Sequence, residues 1–271
     1  MKIRPGIELS NLTDIGCERT ENEDNYCYAE PEDDSELRLR GRCVVVADGM
    51  GGYEGGQVAS CLAVDAVRST FLNGPALEPV DLLAAAYEAA HAAIQEFAQD
   101  HPELIGMGTT CTTAVLRDGG LTYGHVGDSR LYLIREGAIS RVTHDQSYVQ
   151  RMIDDGTISA EDARTHPSRN VLTSALGSNS PVNADFGEPP LPLQKGDILL
   201  LCTDGLHGLV NDEEILDMAS QNPPREACYK LVDMAKVRGG FDNITVQIVR
   251  IDEPSALSQA DAAEPADRKA S

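Results

Sequence analysis

The sequence predicts an α+β fold built mainly from antiparallel sheets. Strand-like and helix-like stretches occur in blocks rather than in alternation, which disfavours a doubly wound parallel sheet. Turn signals rich in Asp, Glu and Gly separate short strand-like runs at 118–120 and 136–137. Each half of the chain also carries a pair of helical segments, so each pair could cover one face of a sheet.

The first elements are short strands around a polar loop. Residues 7–10 alternate in polarity, and residues 25–28 are rich in strand-forming side chains. Residues 31–41 are acidic and polar, which predicts a hairpin loop. The continuous apolar run at 43–47 then predicts a buried strand.

Two helices and a strand block follow. Apolar residues at helical spacing predict helices over 54–72 and 80–97, and Asn73, Gly74 and Pro75 separate them. Four further strands are predicted at 109–116, at 121–126, at 130–135 and near Ile139.

The second half contains a polar insertion and a second helix pair. Residues 145–169 are polar with short helical stretches, which indicates a surface flap. Strands at 182–186 and 197–202, helices at 212–220 and 225–237, and a last strand at 243–251 complete the pattern. We therefore expect one domain over 1–251, with a flap at about 145–170, and a disordered acidic Ala/Pro-rich tail over 252–271.

Composition excludes several classes of function. The formal net charge of −22 argues against nucleic acid or an anionic membrane surface as a partner. The 7 Cys form no CxxC pair, which is typical of free thiols in a reducing compartment and disfavours a zinc site. No signal peptide or bilayer-length apolar run is visible, so we expect a cytoplasmic protein. A removed targeting segment is the alternative.

The most informative residues are acids set beside buried strands, among glycines or small side chains. They are Glu23, Asp24, Asp48, Asp128, Asp204 and Asp242. Carboxylates in such places are costly unless a cation pairs with them, and basic neighbours are few. Oxygen ligands favour Mg²⁺ or Mn²⁺ over zinc. Two such ions held ~3.5–4 Å apart catalyse phosphate-ester hydrolysis, and Arg19 is available to hold the phosphate.

Each motif also has an ordinary explanation. A lone Asp-Gly pair is usually a turn, and Asp128 alone could be a hairpin-turn acid. His125 is more commonly a strand residue with a satisfied ring than a catalyst. The Gly-rich stretch at 48–56 could be a flexible loop, and it lacks the Lys-Ser/Thr ending of a P-loop. The coincidence of several acids with one Arg favours the metal centre.

Six motifs in order resemble those of the metal-dependent PPM-type (type 2C) Ser/Thr protein phosphatases. These motifs occupy residues 19–24, 46–52, 108–110, 125–130, 203–205 and 242–245. Residues 143–147 and 166–172 also look like those of the compact, stand-alone bacterial members. The resemblance runs from about Gly6 to Val249, nearly the whole chain.

The resemblance implies a four-layer α-β-β-α sandwich of two antiparallel sheets with a flap subdomain. It also implies two tightly bound Mn²⁺ or Mg²⁺ ions and a weaker third. Asp48 would bridge the two tight ions. Asp204 and Asp242 would complete the first ion's shell, and Glu23, through water, and the Gly49 carbonyl would serve the second.

The remaining roles follow from the same resemblance. Asp24 would order water on the metal, Asp128 together with Asp204 would hold the third ion, and Arg19 would bind the substrate phosphate. Met50 and Tyr53 stand where some members carry His. This difference leaves the general acid open, with water on the metal as the default donor.

The expected function is hydrolysis of phosphoserine and phosphothreonine in proteins by a metal-activated water. Expected partners are phosphorylated proteins, including a cognate eukaryotic-like Ser/Thr kinase, and we expect a monomer. A regulatory phosphatase acting on one anti-sigma-type partner is a rival. A non-catalytic metal-stabilised interaction module or a pseudophosphatase is an alternative of another class.

Overall fold

The computed structural model describes residues 3–51, 55–179 and 182–256. The expectations for Gly52, Tyr53 and most of the C-terminal tail therefore lie outside the described residues. The described start of that tail, 252–256, lies against the N-terminal segment, because the backbone N–H groups of Asp252 and Glu253 donate to the Gly6 carbonyl.

The described strands lie along the whole chain. They are β1 (Ile7–Asp14), β2 (Asp24–Ala29), β3 (Arg42–Met50), β4 (Gly108–Thr109), β5 (Cys111–Arg117), β6 (Gly120–Val126), β7 (Arg130–Arg135), β8 (Ala138–Arg141), β9 (Asp185–Phe186), β10 (Leu191–Pro192), β11 (Ile198–Cys202) and β12 (Ile244–Ile251).

The helices fall between these strands. They are α1 (Asp34–Arg40), α2 (Gly55–Asn73), α3 (Pro79–Asp100), α4 (Tyr148–Asp154), α5 (Ala160–Arg164), α6 (Asp204–His207), α7 (Asp212–Gln221) and α8 (Pro224–Val237). None of the helices in the described ranges is long and apolar enough to cross a membrane.

The strands form two sheets in which every named pair is antiparallel. One sheet has the order β1-β12-β11-β7-β8. The other has the order β10-β6-β5-β3-β2, with β4 beside β3 and β9 beside β6. This arrangement confirms the predicted antiparallel α+β class.

Three apolar layers hold the molecule together. Between the sheets, Val44 and Leu116 of one sheet pack with Leu131, Leu199 and Val249 of the other. Outside, α2 and α3 cover the second sheet, while α7 and α8 cover the first. Burial of each such side chain stabilises the fold by about 1.5–3 kcal/mol. The predicted α-β-β-α sandwich is confirmed.

The prediction of a hairpin loop over 31–41 is wrong, because this segment contains α1. The Asp33 carboxylate caps the helix by accepting from the backbone N–H groups of Ser35 and Glu36. Leu37 is fully buried beneath it. A capped two-turn helix with one buried side chain gives too weak a periodicity to stand out in an acidic run.

Smaller differences concern short elements. The strand predicted over 109–116 is divided between β4 and β5 at Thr110, and the one over 182–186 shortens to β9. Helix α6, which begins at Asp204, has too few residues to show a helical period.

The flap region contains α4 and α5, as its short helical stretches predicted. From residue 151 onward it is mostly exposed. Its first part is not a surface segment, however, because Asp145, Gln146 and Gln150 are each at most 8% exposed. The flap therefore has a buried base, which sequence polarity alone did not reveal.

Candidate metal centre

The centre of the site is a pair of facing acids on neighbouring strands. Because β2 runs antiparallel to β3, Asp24 lies directly opposite Asp48. The Asp48 backbone is fixed by Thr110: the Asp48 N–H donates to Thr110 Oγ1 at 2.9 Å, and the Thr110 N–H donates to the Asp48 carbonyl at 2.9 Å. Two acids from separate motifs thus share one end of the second sheet.

The first sheet contributes two further acids to the same place. Asp204 begins α6 directly after β11, and Asp242 lies just before β12. Thr203 joins the two sheets, since its Oγ1 donates to Asp24 Oδ2 at 2.8 Å and accepts from the Thr245 N–H at 3.0 Å. The site therefore lies between the ends of both sheets.

Burial and mutual repulsion raise the pKa values of these acids. Burial raises the pKa of Asp24 to about 7 and that of Asp204 to about 6, with neighbouring carboxylates adding to both shifts. The pKa of Asp48 lies well above its usual range because of burial and then the charges of Asp24, Asp204, Asp128 and Asp242. These carboxylates are close enough to repel one another, and a cation shared between them would relieve this repulsion.

The donor set fits hard divalent cations. Oδ1 of Asp24 and Oδ1 of Asp204 are buried without a hydrogen-bond partner among the described residues. No three His, Cys, Asp or Glu side chains in the described ranges converge tightly enough to hold an ion alone. Mg²⁺ characteristically keeps several waters and takes only one or two carboxylates, so an open oxygen site of this kind suits it.

Glu23 and Gly49 lie beside the acid pair and contact each other. The Gly49 N–H donates to the Glu23 carbonyl at 3.1 Å, and the Glu23 N–H donates to Asn243 Oδ1 at 2.7 Å. A Cβ on Gly49 would lie only 2.0 Å from the Gly56 carbonyl oxygen. Only glycine permits the start of α2 to approach the site this closely.

Arg19 lies at the rim of the acidic cluster. Its Nη2 is 2.8 Å from Asp242 Oδ2 and its Nη1 is 3.4 Å from Glu23 Oε2. The side chain is 45% exposed, so the guanidinium can be reached from solvent. This position agrees with the predicted neighbourhood of Arg19.

Asp128 joins the cluster from the loop after β6. It is 9% exposed, and its charge raises the pKa of Asp48. Its carbonyl lies 3.0 Å from His207 Nε2. Burial lowers the pKa of His207 to about 3, so the ring is neutral and can donate this hydrogen bond. Every acid singled out in the sequence thus reaches one region.

His125 has the ordinary role suggested for it. The ring is buried, Nδ1 lies 2.9 Å from Thr112 Oγ1, and Nε2 lies 3.1 Å from the His144 carbonyl. Burial lowers its pKa. Met50, by contrast, pairs with Gly108 at the end of β3 and supplies no titratable group.

Several contributors to the site carried no separate signal in the sequence. Three polar side chains inside the recognised motifs hydrogen-bond to the acidic residues. Thr110 and Asn243 accept from the backbone N–H groups of Asp48 and Glu23, and Thr203 donates to the Asp24 carboxylate. The positive charge of Arg169, at the end of the flap, offsets part of the rise that burial causes in the pKa of Asp204. Long-range contacts of this type depend on the tertiary fold.

The sandwich and its acidic end define a known class. The profile described as "Protein phosphatase 2C" matches residues 29–230, and the chain therefore belongs to this family.

Relatives of known name cover nearly all of the chain. Serine/threonine protein phosphatase PstP of Mycobacterium tuberculosis is 35% identical over 248 residues, which is 90% of this chain and 45% of PstP. The chain thus spans about half the length of that relative. Protein phosphatase PhpP of Streptococcus pneumoniae is 33% identical over 255 residues, covering 92% of this chain and 100% of PhpP.

Solved structures agree with these matches. The crystal structure of the catalytic domain of PstP in complex with two manganese ions has a TM-score of 0.79 and 31% identity. The match covers 92% of this chain and 99% of that one.

Proposed function

We propose that this protein is a Mn²⁺- or Mg²⁺-dependent phosphatase that hydrolyses phosphoserine and phosphothreonine in proteins. The observation that carries the proposal is the buried carboxylate cluster at the joined ends of two sheets, with unpartnered oxygens on Asp24 and Asp204 and the exposed Arg19 at its rim. Membership of the protein phosphatase 2C family and the names of the relatives support it.

Five residues are proposed to hold the two tight ions. Asp48 would bridge them, Asp204 and Asp242 would complete the first ion's shell, and Glu23, through water, and the Gly49 carbonyl would serve the second. The two manganese ions in the PstP catalytic-domain structure support this number. Such ions, when bound, activate water and neutralise charge on the phosphate.

Three residues have proposed roles around those ions. Asp24, held by Thr203, orients water with its unpartnered Oδ1. Arg19 binds the substrate phosphate through its planar fork of N–H donors. Asp128, with Asp204, would hold a third, weaker ion.

The test is hydrolysis of an aryl phosphate and of a phosphothreonine peptide by the purified protein. Activity should appear with Mn²⁺ or Mg²⁺, disappear with EDTA, and be lost in Asp242→Asn, which removes a proposed ligand but no apolar packing. Absence of metal-dependent hydrolysis on both substrates would instead support a non-catalytic interaction module.

The finer expectations remain part of this proposal. A cognate Ser/Thr kinase is proposed among the phosphoprotein substrates, and the protein is proposed to act as a monomer. Both can be examined by treating an autophosphorylated candidate kinase with the enzyme and by measuring the mass of the protein in solution.

A further inference from the structure

The loop that carries Asp128 is held by one residue from the base of the flap. The backbone N–H of Gln146 donates to the Gly127 carbonyl at 2.7 Å, and the Gly127 N–H donates to the side-chain Oε1 of Gln146 at 3.0 Å. One glutamine therefore satisfies both backbone groups of the residue that precedes Asp128. Gly127 has φ of +101°, a conformation that favours glycine, so the loop turns sharply at this point.

Gln146 is itself fixed from the far side. Its Nε2 donates to Asp185 Oδ2 at 2.8 Å and to the Asn183 carbonyl at 3.0 Å. The residue is 8% exposed. Both polar atoms of the side chain amide are thus used, which fixes its orientation and leaves it little freedom to rotate away from Gly127.

The other side of the loop is held by groups that contact the metal-centre strands. Ser129 Oγ lies 2.8 Å from Thr110 Oγ1, the atom that also accepts from the Asp48 N–H. The backbone beside Asp128 is therefore held between β3, which carries Asp48, and the flap base, which carries Gln146. A shift of Gln146 would move Asp128 relative to Asp48.

We propose that Gln146 is a positioning residue that fixes the Asp128 loop and thereby tunes the weak third cation site. The inference rests on the proposed metal-dependent phosphatase function. It assigns to the flap base a task separate from substrate choice. Groups one contact removed from metal ligands affect metal affinity or activity about 10–100-fold when altered.

The flap offers a matched control for this residue. Gln150 is the same residue type and is 7% exposed, but its amide contacts Arg141 and Asp154 and not Gly127. Gln146→Leu removes three side-chain hydrogen bonds and Gln150→Leu removes two, so both variants lose polar contacts of a buried amide. Only the first should loosen the Asp128 loop.

The experiment measures hydrogen exchange at the loop and the Mn²⁺ response in both variants. For Gln146→Leu we expect faster exchange of the Gly127 and Asp128 amides and a several-fold higher Mn²⁺ concentration for half-maximal activity. The kcat for an aryl phosphate should fall about 10-fold or more while KM stays nearly constant. Exchange and Mn²⁺ response equal to those of Gln150→Leu would overturn the proposal.

A second pair of variants decides the question if the leucine variant fails to fold. Gln146→Glu keeps the acceptor for the Gly127 N–H but loses the donor to Asp185 and to the Asn183 carbonyl, so the Mn²⁺ response should weaken. Adding Asp185→Asn supplies a donor to the new carboxylate and should restore part of the response. Absence of any rescue would count against Gln146 as the positioning group. If wild type lacks metal-dependent activity, the proposed function fails, yet amide exchange in the same variants still decides whether Gln146 holds the loop.

Discussion

Asp48→Asn should have opposite effects on stability with and without metal. In the metal-free protein, Asp48 is repelled by the carboxylates of Asp24, Asp204, Asp128 and Asp242, and burial adds to the cost of its charge. Two like charges about 6 Å apart repel by on the order of 3 kcal/mol at an effective dielectric constant near 20. Protonation relieves part of this repulsion, so we expect the substitution to stabilise the protein in EDTA by about 1–2 kcal/mol.

These energies convert into measurable melting temperatures. For domains of this size, about 1 kcal/mol corresponds to roughly 2–4 °C, which places the variant roughly 2–8 °C above wild type in EDTA. Mn²⁺ at about 100 times Kd should stabilise wild type by about 2.7 kcal/mol for one site. Because Asp48→Asn removes the proposed bridging ligand, it should gain much less from Mn²⁺, and the two proteins should exchange order.

The assay is thermal unfolding followed by circular dichroism in EDTA and in a Mn²⁺ series, with phosphatase activity measured in parallel. Asp217→Asn, an exposed change of the same type on α7, controls for net charge. An equal Mn²⁺-induced rise in Asp48→Asn and wild type would refute Asp48 as a shared ligand.

Three further changes address other parts of the molecule. Arg19→Ala should lower kcat/KM roughly 10- to 100-fold, because it removes a charge-assisted contact worth about 1.5–3 kcal/mol. The Mn²⁺ affinity measured by calorimetry should change little. If the variant kept the kcat/KM of wild type, Arg19 would have a structural role instead. The hydrogen-bonded ion pair with Arg238 lowers the pKa of Glu214 to about 2. The stability that this pair contributes is therefore present above pH 4.5 and is lost as the pH falls towards 2. Melting temperatures of wild type and Glu214→Gln should converge at low pH, and a constant difference would contradict this ion pair. Replacing residues 156–165 by a short Gly-Ser linker should leave aryl-phosphate turnover within a few-fold of wild type but reduce phosphoprotein turnover much more. Equal losses on the two substrates would show that this outer part of the flap forms part of the catalytic site.

The sequence predicted the parts of this molecule that depend on local pattern. The buried run of β3 and the spacing of α2 and α3 gave strong signals, and the acid motifs were recognisable as a set. The pairing of Asp24 with Asp48 could not be predicted from spacing, because it depends on the register between β2 and β3.

Contacts between distant segments account for most of what sequence reasoning missed. The base of the flap looked like a polar surface segment because Asp145, Gln146 and Gln150 are polar. Their burial is made possible by partners such as Arg130, which binds Asp145 through Nε and Nη2 at 2.6–3.1 Å. A buried polar network of this kind has the composition of a loop and becomes visible only when its partners are known.

The division of the site between two sheets has a consequence for how activity depends on assembly. Asp24 and Asp48 come from one sheet and Asp204 and Asp242 from the other, and the Thr203–Asp24 hydrogen bond crosses between them. A cut at the turn between β7 and β8 would separate Asp48 from Asp204, so neither fragment would hold a complete set of ligands. Each fragment would carry strands of both sheets, so recovery of catalysis on mixing them would require both sheets to re-form. Activity would then report the tertiary assembly of the protein itself.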